Sequence, residues 1–339
     1  MVIISMIQTL ANSIIRNTWK LLHHRVDPNK AVAIFGSPRS GTTWIMEVLM
    51  HILTKYWPIF EPLHRCSPEV QKLFKDSFKD LNPPPWFPYK FYLEEDDALT
   101  RFMNCTFKGN IYEVLNPYHS IRIRRILTSN SVLVKFVRAN RLLPWIMYRF
   151  KILGIILVIR HPCATILSQM KTGINPVHGF GINDVKQGIK VQLRKVRELS
   201  DKVDILTKLV NKARTIEEIL AINWALDQYV PLYYKRKPWF SAYILFYERL
   251  FLQPRQELRR LLKRLNISLD ETNFAKVTKL MRKSSASSRN CMVTGYEHLI
   301  RWKKGLSRDK VARILRILEK FEITFYDEDP EPDYSASSH

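Results

Sequence analysis

The sequence predicts an α/β fold of three layers, α/β/α, built on a mainly parallel central sheet. Three observations predict it. Ala31–Phe35, Ser131–Phe136 (SVLVKF) and Gly154–Ile159 (GIILVI) are short, near-continuous apolar runs, the pattern of interior strands covered on both faces. Segments with helical spacing separate them, and strands alternating with helices indicate crossover connections within a parallel sheet. The first run ends in a glycine-containing loop that opens a helix, and in such folds ligands sit beyond the carboxyl ends of the strands.

Taken in order, Met1–Arg25 interleaves Ile3, Ile7, Leu10, Ile14 and Trp19 with Ser13, Arg16 and Lys20. Its apolar runs are shorter than the ~18 residues of a spanning helix, and it has no basic start or small-residue cleavage site of a signal peptide. It reads as an amphipathic helix over residues 1–30 that packs on the domain; the alternative is peripheral contact of residues 1–25 with a membrane. Residues 31–325 form the main domain. Thr42–Leu53 has helical spacing. Residues 58–100, rich in Pro, Lys and aromatics and including Pro83-Pro84-Pro85, are expected to be an irregular insertion or lid. A helix begins just after Pro162, and another, Asp184–Leu199, carries Val185, Ile189 and Leu193 on one stripe. Ala242–Phe246 is a strand, Gln256–Leu265 a basic helix, and Ser307 caps a last helix with Val311, Ile314 and Leu318 inward. Residues 280–305 are expected to hold a cofactor-covering loop. Residues 326–339 are acidic, Pro-containing and expected to fray.

The 339 residues suffice for one large domain, and 46% hydrophobic content excludes a disordered chain. Lys plus Arg number 54 against 31 Asp plus Glu, a net +23; such an excess attracts anions. Cys66, Cys105, Cys163 and Cys291 form no CxxC pair. That argues against structural zinc or a disulfide framework and for a reducing, cytoplasmic setting. No metal-ligand cluster is visible. The sequons at Asn104 and Asn266 lack a secretory context.

Gly36-Ser-Pro-Arg-Ser-Gly41-Thr-Thr matches the P-loop pattern in its glycines and hydroxyls, between a strand and a helix. The amides of Ser40 to Thr43 then point at an oxyanion, aided by the helix dipole. The lysine position of that pattern holds Thr42, and the cation stands earlier, at Arg39. A nucleoside triphosphatase needs the lysine on its β- and γ-phosphates, so the loop suits a single phosphate, with Arg39 over a bridging or leaving oxygen.

At these residues the chain resembles the sulfotransferases that use 3′-phosphoadenosine 5′-phosphosulfate (PAPS). SPRSGTTW is similar to their 5′-phosphosulfate loop. Leu157-Val-Ile-Arg160-His-Pro, with Ser168 eight positions after the arginine, is similar to their 3′-phosphate motif. Physically, Arg160 at a strand end can fork onto a phosphate. Tyr243–Leu250, with Tyr247-Glu248, resembles the strand whose tyrosine lies near adenine, and Trp44 matches a tryptophan that stacks on the base. Arg282-Lys283-Ser284 is similar to the cytosolic members' RKG clamp with Ser for Gly, while SSASSR (284–289) resembles the Ser-rich loop of bacterial and carbohydrate-type members. The resemblance covers roughly residues 31–325. It implies a P-loop-like sulfotransferase fold, PAPS as donor, adenosine 3′,5′-bisphosphate as product, and a donor site of Arg39, Ser40, Gly41, Thr42, Thr43, Trp44, Arg160, Ser168, Tyr247, Arg282 and Lys283.

Sulfonate transfer is an in-line displacement that needs a base, a cation at the bridging oxygen, and alignment. Arg39 and Lys135 are the cation candidates. The histidine base of cytosolic members has no counterpart here, since Val137 stands at its position. Glu47, six residues after Gly41 on the second turn of the loop helix, is the favoured base, and several carbohydrate-type members use a glutamate at this spacing. His64 and His178 lie in loops that could line the acceptor pocket and are secondary candidates. The acceptor is a small molecule or glycan bearing a hydroxyl or amine; the basic excess favours an anionic one, the aromatics of 83–92 an apolar alcohol or phenol. Nucleic acid is not expected. The competing readings are a kinase or NTPase with a degenerate loop, and a non-enzymatic polyanion-binding module.

Overall fold

Among the described residues five strands pair in parallel, in the order β2-β3-β1-β4-β5. They are β1 (Val32–Gly36), β2 (Tyr56–Phe60), β3 (Ser131–Phe136), β4 (Gly154–Ile159) and β5 (Tyr243–Phe246). The computed structural model describes residues 17–19, 21–64, 67–79, 87–95, 97–111, 123–173, 181–281 and 296–335. β1 is the central strand. From it the chain reaches β3 on one side and β4 on the other, so the loops leaving β1, β3 and β4 border one crevice, the place where ligands bind in such sheets.

The expected strands are present because both faces of the sheet are covered. Val32, Ala33, Ile34 and Phe35 are fully buried. Phe35, Phe136, Leu157 and Ile222 belong to the core on one face; Ile34, Leu133, Val158, Leu49 and Leu261 to the core on the other. Alternate residues of each strand feed opposite layers, which is why the runs are continuous rather than alternating. Truncating Ile34 to alanine would cost about 2–5 kcal/mol.

Two segments differ from expectation. The stretch read as an irregular insertion from 58 to 100 contains much of β2, a helix Pro68–Ser77 capped by Ser67, and the start of a helix Asp97–Phe107. β2 escapes a propensity reading because Pro58 sits inside it. The strand lies at the sheet edge, where a missing N–H is tolerated. Residues 80–86, with the three prolines, lie outside the described residues. The tail read as frayed is docked through 335: Tyr326 is 4% exposed, and Tyr334 packs on Phe246 and beneath Arg249. Its aromatics, not its acids, decide the outcome.

At the other end, Trp19 stacks on Trp57 at 4.5 Å and donates from Nε1 to the carbonyl of Gly109 (2.7 Å). Residues 1–16 lie outside the described residues. No described helix is long and apolar enough to cross a membrane.

Candidate functional site

The loop leaving β1 is shaped by two close approaches. A Cβ on Gly36 would stand 2.5 Å from Ser40 Oγ and 2.9 Å from the carbonyl of Val158. Gly41 has φ +101°, and a Cβ there would meet the Tyr247 ring at 2.5 Å. Only glycine fits either place. The loop then opens the helix Thr42–Ile52, whose first-turn amides lack intrahelical partners and point outward with the positive end of the dipole. Ser40 Oγ is buried and has no hydrogen-bond partner.

Three residues from separate elements converge on this loop. Arg39, itself at φ 70°, donates from Nε to Ser168 Oγ (3.0 Å), on the helix Pro162–Thr172 after β4. Arg160, at the end of β4, donates from Nη1 to the carbonyl of Arg39 (3.1 Å) and lies over the Tyr247 ring at 4.4 Å. Burial first, and Arg160 second, pull the Arg39 guanidinium below its ordinary value. Neither arginine has a carboxylate at ion-pair distance among the described residues. Two guanidiniums without an ion-pair partner among the described residues, at a helix N-terminus, can bind an anion.

Beside them Trp44 meets Tyr247 at 5.4 Å. Trp44 is only 8% exposed and its Nε1 has no partner. The Tyr247 hydroxyl shares a hydrogen bond with His298 Nε2 (2.9 Å), on a helix Glu297–Gly305. That helix occupies part of the stretch read as a covering loop; Arg282, Lys283 and the rest of 282–295 lie outside the described residues, as do His178, Cys66 and Cys291.

On the β3 side, Lys135 is 3% exposed, and Nζ donates to Thr43 Oγ1 (3.1 Å). Glu61, which the sequence reading passed over, pairs with it at 2.8 Å. Glu61 follows β2 with φ 56° and is 8% exposed. Its other oxygen accepts from Val137 N (3.2 Å) and Arg138 Nη1 (3.5 Å). A non-glycine residue at positive φ with a buried carboxylate marks constraint at a site. Finding it required knowing that Tyr56–Phe60 is a strand. His64, three residues on, is held below its ordinary pKa by burial and then by Arg138, against a smaller opposing effect of Glu61. Glu47 is partly buried on the loop helix, one turn after Thr43 and on the same face.

Two buried networks hold the loops. Ser37 Oγ donates to Asp227 Oδ2 (3.0 Å) on the long helix Ile216–Tyr233, and Gln228 Nε2 donates to Ser37 Oγ (3.1 Å). Asp227 is paired with Arg141 (2.9 Å), which also donates to Asn223 and Gln192. Under Arg160, Glu248 accepts from His161 N (2.8 Å) and Tyr326 OH (2.9 Å). Burial pushes the Glu248 carboxyl up to about 7. His161 caps the Pro162 helix with Nδ1, donates from Nε2 to Asp327 O (3.1 Å) and stacks on Trp302 at 4.4 Å. Burial pushes its pKa down to about 3, so the ring is neutral, with the proton on Nε2.

Residues 29–314 match the model of the sulfotransferase domain family. Solved structures similar to the chain include the sulfotransferase domain from the Synechococcus PCC 7002 olefin synthase (16% identity, 89% of this chain and 96% of that one, TM-score 0.45). Sulfotransferase STF9 from Mycobacterium avium is similar at 13% identity, over 89% and 78% of the two chains, TM-score 0.43. STF1 from Mycobacterium tuberculosis H37Rv is similar at 13% identity, over 91% and 80%, TM-score 0.42. No curated protein matches.

Proposed function

As this chain belongs to the sulfotransferase domain family, we propose that it moves a sulfonate group from PAPS to a hydroxyl or amine acceptor. The observation that carries the reading is the convergence of Arg39, Ser168 and Arg160 at the mouth of a glycine loop, with no carboxylate among the described residues at ion-pair distance from either arginine. The residues present fit a nucleotide carrying two separated phosphate groups. The loop amides and the buried, unpartnered Ser40 hydroxyl suit one; Arg160 with Ser168 suits the other; Trp44 and Tyr247 offer aromatic surface to a purine. Arg282 and Lys283 complete the set on this reading.

When bound, the donor supplies an activated sulfonate with a phosphate leaving group. The chain's own contribution is orientation and charge. Arg39 and Lys135 hold positive charge where negative charge develops. Thr43 ties Lys135 to the loop helix. Glu47 takes the acceptor proton. Glu61, with both oxygens engaged by Lys135, Val137 N and Arg138, fixes the lysine. The acceptor is a small molecule or glycan, with the net +23 favouring an anionic one, and the setting is cytoplasmic. Among the described residues no group of His, Cys, Asp or Glu could hold a metal ion.

The test is a thermal shift. Adenosine 3′,5′-bisphosphate should raise the melting temperature without Mg²⁺, and ATP·Mg should not; the reverse result defeats the reading in favour of a nucleotide kinase or NTPase. Binding lost at moderate salt with no nucleotide effect points instead to a polyanion-binding module. An acceptor screen with labelled donor then identifies the substrate.

A further inference from the structure

All five strands are parallel, so the loops that precede them share one edge of the sheet, opposite the edge that carries the phosphate loop. Two neighbouring segments on that amino edge have an unusual composition. Tyr148-Arg-Phe-Lys-Ile-Leu153 precedes β4, and Tyr233-Tyr-Lys-Arg-Lys-Pro-Trp239-Phe240 precedes β5. Each interleaves aromatic with basic side chains.

The structure joins them into one surface. The ring of Tyr92 lies 5.2 Å from each of Tyr148, Tyr234 and Trp239, and Tyr148 meets Trp239 at 5.9 Å. Ser241 N donates to Met147 Sδ (3.2 Å), linking the two segments. Around this aromatic centre, Leu93, Tyr148, Leu153 and Tyr233 are 52, 49, 40 and 50% exposed. Lys151, Arg236 and Lys237 are exposed among them. Among the described acids nearby, Glu94 stands 3.9 Å from Lys90, Glu95 pairs with Arg149 at 3.2 Å, and the buried Glu198 accepts from the Tyr234 and Tyr89 hydroxyls.

We propose that this amino edge rests on an anionic bilayer surface. Rings with a polar tip and cations on long apolar stems both belong at the boundary between hydrocarbon and water. Leu93 and Leu153 have no polar atom to satisfy and enter the apolar side, while Lys151, Arg236 and Lys237 meet acidic headgroups. The charge surplus selects lipid over a second copy of this chain, which would carry the same positive surface. The rings are engaged with one another, Tyr92 and Tyr148 edge-on at 75° and Trp239 tilted at 34° to Tyr92 and 37° to Tyr234, which argues against stacked bases. The phosphate loop, on the opposite edge, stays open to water.

The experiment is sedimentation of the full chain with vesicles of phosphatidylcholine alone, or with phosphatidylglycerol added. Binding is expected to the mixed vesicles only, and to weaken as salt rises. Two variants with unchanged melting temperature, Arg236→Glu/Lys237→Glu and Tyr148→Ser/Leu153→Ser, should each lower the partition coefficient about tenfold or more. No binding, equal binding by both variants, or a variant-sensitive change in oligomeric state overturns the proposal. So does binding of a single-stranded oligonucleotide that the Glu variant loses while vesicle binding persists.

Discussion

Lys135 Nζ stands 2.8 Å from Glu61 Oε1, and the pair is almost wholly buried. Each residue comes from the carboxyl end of a strand, β3 for the lysine and β2 for the acid. The glutamate's backbone N–H also donates to the carbonyl of Lys135 (2.9 Å). The lysine that touches Thr43 is thereby fixed at the loop helix rather than free to wander.

Two carboxylates, Glu47 and Glu61, can therefore be told apart by their losses. Glu47→Gln is expected to cut turnover by ~100-fold or more while adenosine 3′,5′-bisphosphate binds as before. Glu61→Gln leaves a buried lysine uncompensated and should cost several kcal/mol of stability, roughly 3–5. Should Glu61→Gln alone abolish turnover, with melting temperature and affinity intact, the base is Glu61.

Arg160→Ala removes a fork aimed at an anion. Bisphosphate affinity, measured by calorimetry, should fall ~10- to 100-fold, the range of charged hydrogen bonds. Stability without ligand should change little, because Arg39 is relieved of a like charge. Arg160→Lys should recover only part of the affinity, lacking the planar fork. Unchanged affinity in Arg160→Ala would rule out its phosphate role.

Asp227 acts on the loop from beneath. Asp227→Asn should destabilise by about 3–5 kcal/mol in urea unfolding, since Arg141 keeps its buried charge. Arg141→Met/Asp227→Leu should regain part of that stability but not bisphosphate affinity, because Ser37 still lacks its acceptor. Affinity returning together with stability would reduce the network to scaffolding.

The pH dependence of stability isolates His161. Its pKa is lowered from 6.5 to about 3, so its contribution is fully present above pH 6.5 and is lost as pH falls toward 3. Glu248 is raised from 4.5 to about 7; its contribution is full below 4.5 and fades as pH rises toward 7. Asn at 161 can still cap the helix but cannot titrate. The difference in unfolding free energy between wild type and His161→Asn should shrink as pH drops from 6.5 to 3. Parallel curves over that range would contradict the assignment.

Much of the glycine-loop side was legible because its signals are local. A buried strand, two glycines and a helix start lie within residues 32–52, and Arg160 with Ser168 lies within one strand–helix unit. The β2–β3 side was not, because Glu61 announces itself only through a backbone angle and a contact with Lys135, far along the chain. Pro58 hid the strand that delivers it. His161 read as a residue between Arg160 and Pro162; that it stacks and donates depends on Trp302 and Asp327, more than a hundred positions away.

The sequence by itself determined four of the described strands and the glycine loop, since continuous apolar runs must be covered on both faces and close backbone approach admits only glycine. The tertiary structure alone decided which charges meet. It set Arg39 against Ser168, Lys135 against Glu61, Asp227 under Ser37 and the tail over Glu248. Such pairings form where burial makes an unmatched polar group costly, and burial belongs to the folded assembly rather than to any stretch of chain.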